Sequence, residues 1–420
     1  MPKEYAAILI FAALYLPILW MVIRIEMTEY HPPTVPKAET FTCSFCMKPL
    51  HIIHDFGTVA LAGGFLKPEQ FAEEKKYPLR LCYCESCYAL QLADRVPPDV
   101  MFKDYFYFSS ANETIRSHFR QYAADIVETY HPKKAIEIGC NDGVLINPLR
   151  ELGVKVTGVD PSSTVPKGPG IINDYFTPEV ARKIGKVDMV IANNVFAHIT
   201  DIHSVTRAIL AALKDDGVFV MEAHYLVDML SGLQYDWIYH EHVFYYSLLS
   251  LENHFSEYGL TVFDVKHVAT HGGSMRYFIG KRPETAAVTA LREEELRIGL
   301  DKLETYQQFS ARIARHGKDL RAAIGNAPIA GYGASGRANA LIQYCGLNVS
   351  YIVDDAPAKH GFYTPGSHIP IYSRDKLKED KPDRLIAFAW GYMDEISRKC
   401  DVPMLAPFPV IRTIEKKAAA

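Results

Sequence analysis

This sequence of 420 residues lacks any large excess of charge: 45 Lys+Arg meet 49 Asp+Glu, a net charge of −4. Proteins that grip nucleic acid through its phosphates carry a surplus of Lys and Arg, so no nucleic-acid partner is expected. No repeat of fixed period runs along the chain. Hydrophobic residues at 49% and charged residues at 22% exclude a disordered, collagen-like or coiled-coil protein. Cysteine is scarce outside one window. Five of the eight (Cys43, Cys46, Cys82, Cys84, Cys87) fall within 45 residues, while Cys140, Cys345 and Cys400 stand alone. That clustering argues against a disulfide framework and for a metal site in a reducing compartment. What remains is ample apolar material for two or three globular domains.

One uncharged apolar run departs from this soluble pattern. Residues 6–23, 18 in all, reach the lower limit for a membrane-spanning helix, with Pro17 inside them. No A-x-A-like site follows and Glu4 spoils a basic leader, which argues against a cleaved signal peptide. Three readings of the segment 1–30 stand: a membrane anchor, an apolar helix packed on the protein, or an extended start ahead of Met27. Membrane contact is expected only through 6–23, with the rest of the chain in the cytoplasm.

After a proline-rich linker at 30–40, residues 40–98 form the cysteine-rich module. From 99 to 283, apolar strand candidates at 135–138, 155–159, 187–192 and 217–222 alternate with helix-length segments at 144–152, 177–184 and 202–213. That alternation predicts an α/β fold with a parallel sheet. Further strands at 261–265 and 275–279 predict an antiparallel end to it. Across 284–325, Leu296, Leu300 and Leu303, then Phe309 and Ile313, recur at helical spacings and predict one long connecting helix. Residues 326–420 begin a second α/β unit: an apolar run at 328–330, a glycine turn, a helix through Leu341 and a strand at 351–353.

Cys43-x-x-Cys46 and Cys84-x-x-Cys87 form two knuckles that place four thiolates around one ion. Zn²⁺ favours such a closed tetrahedral site, which leaves no open position and is therefore structural. Cys82 is spare. The segment Glu137-Ile-Gly139-Cys140-Asn141-Asp142-Gly143 ends the first central strand and opens a helix, where glycines let the backbone approach a ligand. Asp160 ends the next strand, placed to accept from a ribose diol. This spacing fits S-adenosylmethionine better than a dinucleotide, with adenine beside the segment that holds Asp174. Asn193-Asn194-Val195-Phe196-Ala197-His198 follows the strand at 187–192 and faces the same crevice, and a helical turn would put Asn194 and His198 on one face.

Three further motifs carry chemistry. Tyr239-His240-Glu241-His242 offers a histidine base for a proton beside a carbonyl and a tyrosine to stabilise the enolate. It lacks the H-E-x-x-H spacing of a metalloprotease. His271-Gly272-Gly273-Ser274-Met275-Arg276 is a tight turn whose arginine either pairs with a phosphate or stabilises a strand end. Gly331-Tyr332-Gly333-Ala334-Ser335-Gly336-Arg337, followed by Asp354-Asp355, is either a second nucleotide site, a fold kept without a cofactor, or a partial contact to the substrate's nucleotide.

The order of these motifs, closing on DDAPAKHGFYTPGSHIPI, resembles the sugar C-methyltransferases of deoxysugar biosynthesis from about Phe41 to the C-terminus. The resemblance implies a zinc module, a Rossmann-like S-adenosylmethionine methyltransferase sheet and a C-terminal Rossmann-like domain. It implies methylation at C3 of a nucleotide-linked 4-keto-6-deoxysugar. The residues carried over are Tyr239, Glu241 and His242 with Asn194 and His198, His242 acting as the base and Tyr239 assisting. Arg276 and the second glycine turn are then candidates to close over the nucleotide diphosphate. The rivals are O- or N-methylation of a sugar or another small molecule, a zinc-ribbon binding protein with a degenerate methyltransferase fold, and a membrane-tethered scaffold.

Overall fold

Short runs of Val, Ile, Leu and Ala become strands here because both faces of a parallel sheet are covered, so no polar face is needed. The computed structural model describes residues 40–102, 113–165 and 168–415. The expectations for residues 6–23 and Met27 lie outside the described residues. The cysteine-rich module is an antiparallel hairpin of β1 (His51–Ala60) and β2 (Lys76–Tyr83), with β3 (Leu90–Leu92) alongside. A central sheet follows from β4 (Lys134–Ile138), β5 (Lys155–Val159), β6 (Ile171–Ile172), β7 (Val187–Asn193) and β8 (Leu213–His224), all parallel. β9 (Phe244–Tyr245) then pairs with β3 and completes the module's sheet instead. β10 (Thr261–Val268) and β11 (Ser274–Gly280) finish the central sheet antiparallel, as the sequence predicts, in the order β10-β11-β8-β7-β4-β5-β6.

The second α/β unit contains β12 (Ile329–Tyr332), β13 (Val349–Val353), β14 (Ile371–Tyr372), β15 (Leu385–Ala387), β16 (Met404–Ala406) and β17 (Arg412–Ile414). They run β14-β13-β12-β15-β16-β17, parallel except at β17. The single helix expected over 284–325 is two helices, Ala286–Ile298 and Leu303–Ile324. The first ends at Gly299, whose φ of +86° is left-handed and open to glycine without strain. Leu300 is fully buried beyond the break, while Leu296 is 43% exposed, so the apolar spacing does not follow one continuous face. Among the described residues no helix is long and apolar enough to cross a membrane.

The register of the central sheet positions the site. Ile138 lies opposite Val159 on β5 and Ala192 on β7, and Asn193 opposite Glu222 on β8. The carboxyl ends of these strands therefore meet along one edge. Strand order reverses at β4, the place where an open α/β sheet leaves a crevice for a ligand.

Candidate active site and metal centre

The two knuckles fold alike. Met47 N–H closes one turn on the Cys43 carbonyl (3.0 Å) and Tyr88 N–H the other on the Cys84 carbonyl (2.8 Å). Both Met47 and Tyr88 are left-handed, with φ of +58° and +60°. The four sulfurs all lie within 4.8 Å of one another, with Cys43 to Cys87 at 3.5 Å and Cys46 to Cys84 at 3.4 Å. Tetrahedral zinc with bonds of ~2.3 Å sets its sulfurs about 3.8 Å apart, so the cluster fits that ion. Gln91 Nε2–H (3.0 Å) and Phe45 N–H (3.4 Å) both donate to Cys43 Sγ, which favours a thiolate there. Cys82 lies outside this cluster, buried on β2. Gln91 sits opposite Phe244 of β9, so the metal module is stitched to the chain that immediately follows Tyr239 to His242.

At the end of β4, Glu137 is 3% exposed, and burial first, then the Asp160 charge, pushes its carboxyl up to about 8, against the pull of the Asn193 amide. Apart from each other, Glu137 Oε2 and the Asn193 amide are buried without a hydrogen-bond partner among the described residues. Buried polar groups so short of partners are what a polar ligand satisfies. Gly139 has a φ of +66°, and a Cβ there would come within 2.5 Å of Val195 Cγ2. This glycine therefore lets the turn close on the Asn193 to His198 segment. Gly143 is also left-handed, at +80°. Asp160 is held in the turn: Asn141 N–H donates to Oδ2 and Ser162 N–H to Oδ1, both at 2.9 Å. Burial pushes its carboxyl upward against those bonds. Asn173 Nδ2–H donates to the Asp160 carbonyl at 2.9 Å, whereas Asp174 accepts the Tyr175 amide at 2.8 Å and faces solvent.

The remaining predicted residues gather beside this turn. Asn194 is left-handed at φ +51° and donates its N–H to the Glu222 carbonyl at 2.7 Å. Its conformation breaks the helical turn expected from Asn194 to His198, and only Phe196–His198 forms a 3-10 turn. Asn194 and His198 still meet, through the Asn194 backbone against the imidazole. The His198 and His242 ring centroids are 5.1 Å apart and nearly perpendicular. Val243 N–H donates to the Ala197 carbonyl (2.8 Å) and Tyr246 OH to the Phe196 carbonyl (3.0 Å), locking the two segments together. Burial first, then the neighbouring His242, pulls His198 down to about 3, so it is neutral at physiological pH.

His242 Nδ1–H donates to the Trp237 carbonyl at 2.8 Å. A carbonyl only accepts, so this bond fixes the neutral tautomer and makes Nε2 the basic nitrogen. The Tyr239 ring lies 4.3 Å from that of His242. Glu241 points away from these rings toward the metal module, where its carboxylate fills the space a Cβ on Gly63 would need. Burial pushes Glu241 up to about 7, against the Gly63 amide. His240 Nε2–H donates to the Pro78 carbonyl at 2.9 Å.

Geometry bears on two sequence alternatives. Arg276 is 2% exposed, and its Nε–H and Nη2–H donate to Glu222 Oε2 at 3.0 and 2.8 Å with the guanidinium over Tyr122. It braces β11 against β8; the role toward a substrate diphosphate is corrected, because this arginine is buried in its own ion pair. In the second glycine turn, Cβ atoms on Gly331 and Gly333 would meet Phe388 at 2.7 Å and Ala389 at 2.8 Å. Both Asp354 oxygens are taken: Oδ2 by Ala334 N–H (2.8 Å) and Lys359 Nζ (3.1 Å), Oδ1 by Ala356 N–H (2.8 Å). Sequence reasoning missed His224, which stacks on Trp237 at 4.5 Å and donates to Gln234 Oε1 at 3.1 Å. No local pattern marks it, because its partners lie on other elements.

Three family models match: a zinc-binding domain over 43–102, a methyltransferase domain over 113–265, and a C-methyltransferase C-terminal domain over 269–404. A magnesium protoporphyrin IX methyltransferase from Synechocystis PCC 6803, solved with bound SAM, aligns over 40% of this chain and 79% of its own at 14% identity and a TM-score of 0.30. The ubiquinone biosynthesis O-methyltransferase of Methylobacterium sp. (strain 4-46) is 35% identical over 94 residues, 20% of this chain and 38% of that protein. The C-methyltransferase NovU of Streptomyces niveus is 34% identical over 371 residues, 81% of this chain and 87% of that one. With a four-cysteine cluster that fits zinc and a methyltransferase sheet whose carboxyl edge fits S-adenosylmethionine, the chain belongs to the C-methyltransferase family.

Proposed function

We propose that this C-methyltransferase acts on C3 of a nucleotide-linked 4-keto-6-deoxysugar through an enolate. The observation that carries the reading is the fixed tautomer of His242, whose basic Nε2 belongs to a cluster with neutral His198 and the Tyr239 phenol, beside the glycine turn. The C4 carbonyl acidifies the C3 proton, which His242 accepts. Tyr239 or His198 donates a hydrogen bond to the enolate oxygen as charge develops there. When bound, S-adenosylmethionine would supply an electrophilic methyl group to C3, its S–CH3 bond breaking to leave S-adenosylhomocysteine as the ketone re-forms. Glu137, Gly139, Asn141, Gly143, Asp160, Asp174 and Asn193 are assigned to hold that donor, with the buried Glu137 and Asn193 pair, which has no further partner among the described residues, as the strongest argument for a polar ligand at this edge. Tyr239, His198 and His242 are each partly exposed, so a substrate can reach them. S-adenosylmethionine and a thiolate metal site argue for a reducing, cytoplasmic setting.

The test combines the enzyme and S-adenosylmethionine with a panel of nucleotide-linked 4-keto sugars deuterated at C3. The expected result is a product bearing the new methyl on carbon, with deuterium lost to solvent. His242→Asn is expected to lower both exchange and turnover by about 10²–10⁴-fold, with S-adenosylmethionine affinity nearly intact. Methylation of a hydroxyl with C3 deuterium retained would overturn the proposal.

A further inference from the structure

Asp236 stands in the 3-10 turn Tyr235–Trp237, just before the reactive segment, and is 2% exposed. Its Oδ2 accepts from Arg337 Nε–H at 2.9 Å and from Trp390 Nε1–H at 2.9 Å, with Arg337 Nη2 at 2.7 Å. The Arg337 guanidinium lies between two indoles, 4.5 Å from the Trp237 ring centroid and 4.6 Å from that of Trp390. Arg337 and Trp390 belong to the C-terminal α/β unit; Asp236 and Trp237 belong to the methyltransferase chain. Beside this clamp, a Cβ on Gly336 would stand 3.4 Å from the Tyr239 ring, so the same turn also backs the tyrosine. Trp237 is the residue whose carbonyl accepts the hydrogen bond from His242 Nδ1–H.

We propose that Arg337 is a positioning residue for methyl transfer. By pinning Asp236 and the Trp237 ring, it holds the Trp237 carbonyl in line with His242 Nδ1 and so keeps Nε2 as the basic nitrogen. The second glycine turn thus serves as the rigid mount of the base. A planar guanidinium suits this place because it stacks on both indoles while two of its nitrogens face one carboxylate oxygen, a combination that lysine cannot reproduce. The inference rests on the reading of His242 as the base. A displacement of about 1 Å at a reacting group costs on the order of 10²-fold in rate, and this sets the expected size of the effect.

The test compares Arg337→Met, Arg337→Lys and Trp390→Phe with the unaltered enzyme, each checked for thermal unfolding and S-adenosylmethionine affinity. Arg337→Met is expected to lower kcat by roughly 10–100-fold, with the sugar KM changed less than about threefold. Trp390→Phe, which keeps the ring and loses one hydrogen bond, is expected to retain most of the rate, and Arg337→Lys to recover little. ¹⁵N spectra of histidine-labelled enzyme, with the His242 signal assigned by its loss in His242→Asn, are expected to show the Nδ1–H tautomer in the unaltered enzyme and a mixture in Arg337→Met. A raised KM with kcat unchanged would make Arg337 a substrate-binding residue and overturn the proposal. An unchanged tautomer would overturn it as well, as would restoration of the rate by lysine. If His242→Asn retains C3 exchange, the base assignment fails instead, whatever the tautomer signal shows.

Discussion

Two glycine turns in this molecule are built almost identically and end in different states. In each, an aspartate closes the second strand and accepts two backbone N–H groups: Asp160 from Asn141 and Ser162, Asp354 from Ala334 and Ala356. The central turn leaves Glu137 Oε2 and the Asn193 amide buried with only each other as partners among the described residues. The C-terminal turn adds Lys359 to its aspartate, and Lys359 also donates to the Ala334 carbonyl at 2.7 Å. Its first two glycines admit Phe388 and Ala389, and Gly336 faces Tyr239. The lesson is that the glycines of such a strand-to-helix turn mark close approach by the protein itself in both cases, Val195 at Gly139 and Phe388 and Ala389 at Gly331 and Gly333. The Lys359 ammonium on Asp354, where Asp160 accepts from backbone N–H groups, distinguishes the two.

The comparison breaks most sharply at the glycines. Gly139→Val is expected to force Val195 out of the turn and weaken S-adenosylmethionine binding by roughly 10–100-fold, an overpacking cost of about 1–3 kcal/mol. Gly333→Val is expected to cost about the same in folding stability while leaving the affinity of the folded enzyme intact. Calorimetric titration alongside denaturant unfolding separates the outcomes. Equal loss of affinity in both variants would show that the two turns are not functionally distinct.

A smaller effect follows from Glu137. Its carboxyl is raised from 4.5 to about 8 in the folded protein, so between those pH values the folded state holds a proton that the unfolded chain has released. The stability this group contributes is therefore fully present below about pH 4.5 and is lost as pH rises through about 8. Glu137→Gln is expected to flatten this slope in the ligand-free enzyme, read as the difference between variant and unaltered protein in unfolding series across that range. Glu241 and Glu295, each raised to about 7 chiefly by burial, add slopes of the same sign that cancel in the difference. Smallest of all, Lys359→Met removes a partly exposed ion pair and is expected to cost under about 1 kcal/mol with no change in S-adenosylmethionine affinity.

The sheet alternation, the antiparallel end and the paired knuckles were legible because each is written in spacing along the chain. The break at Gly299 escaped the periodic pattern, since the apolar spacing across 296–303 reads the same with or without a turn in it. The addition of β9 to the metal module escaped it too, because the two residues Phe244 and Tyr245 carry no pattern that names β3 as their partner. His224, Trp237 and Arg337 form part of the surroundings of the base without any shared motif; they are brought together by packing between two α/β units.

By itself, the sequence determined the chemical inventory of this protein: four thiols in two knuckles, a glycine turn with its acids, and a tyrosine–histidine segment. Such groups are local, and their spacing constrains them before anything folds. Only the tertiary structure decided which of them remain available. Arg276 is held by Glu222, Asp354 by Lys359, and the His242 tautomer by the Trp237 carbonyl. Each outcome depends on burial and on a partner's distance, which no spacing along the chain specifies.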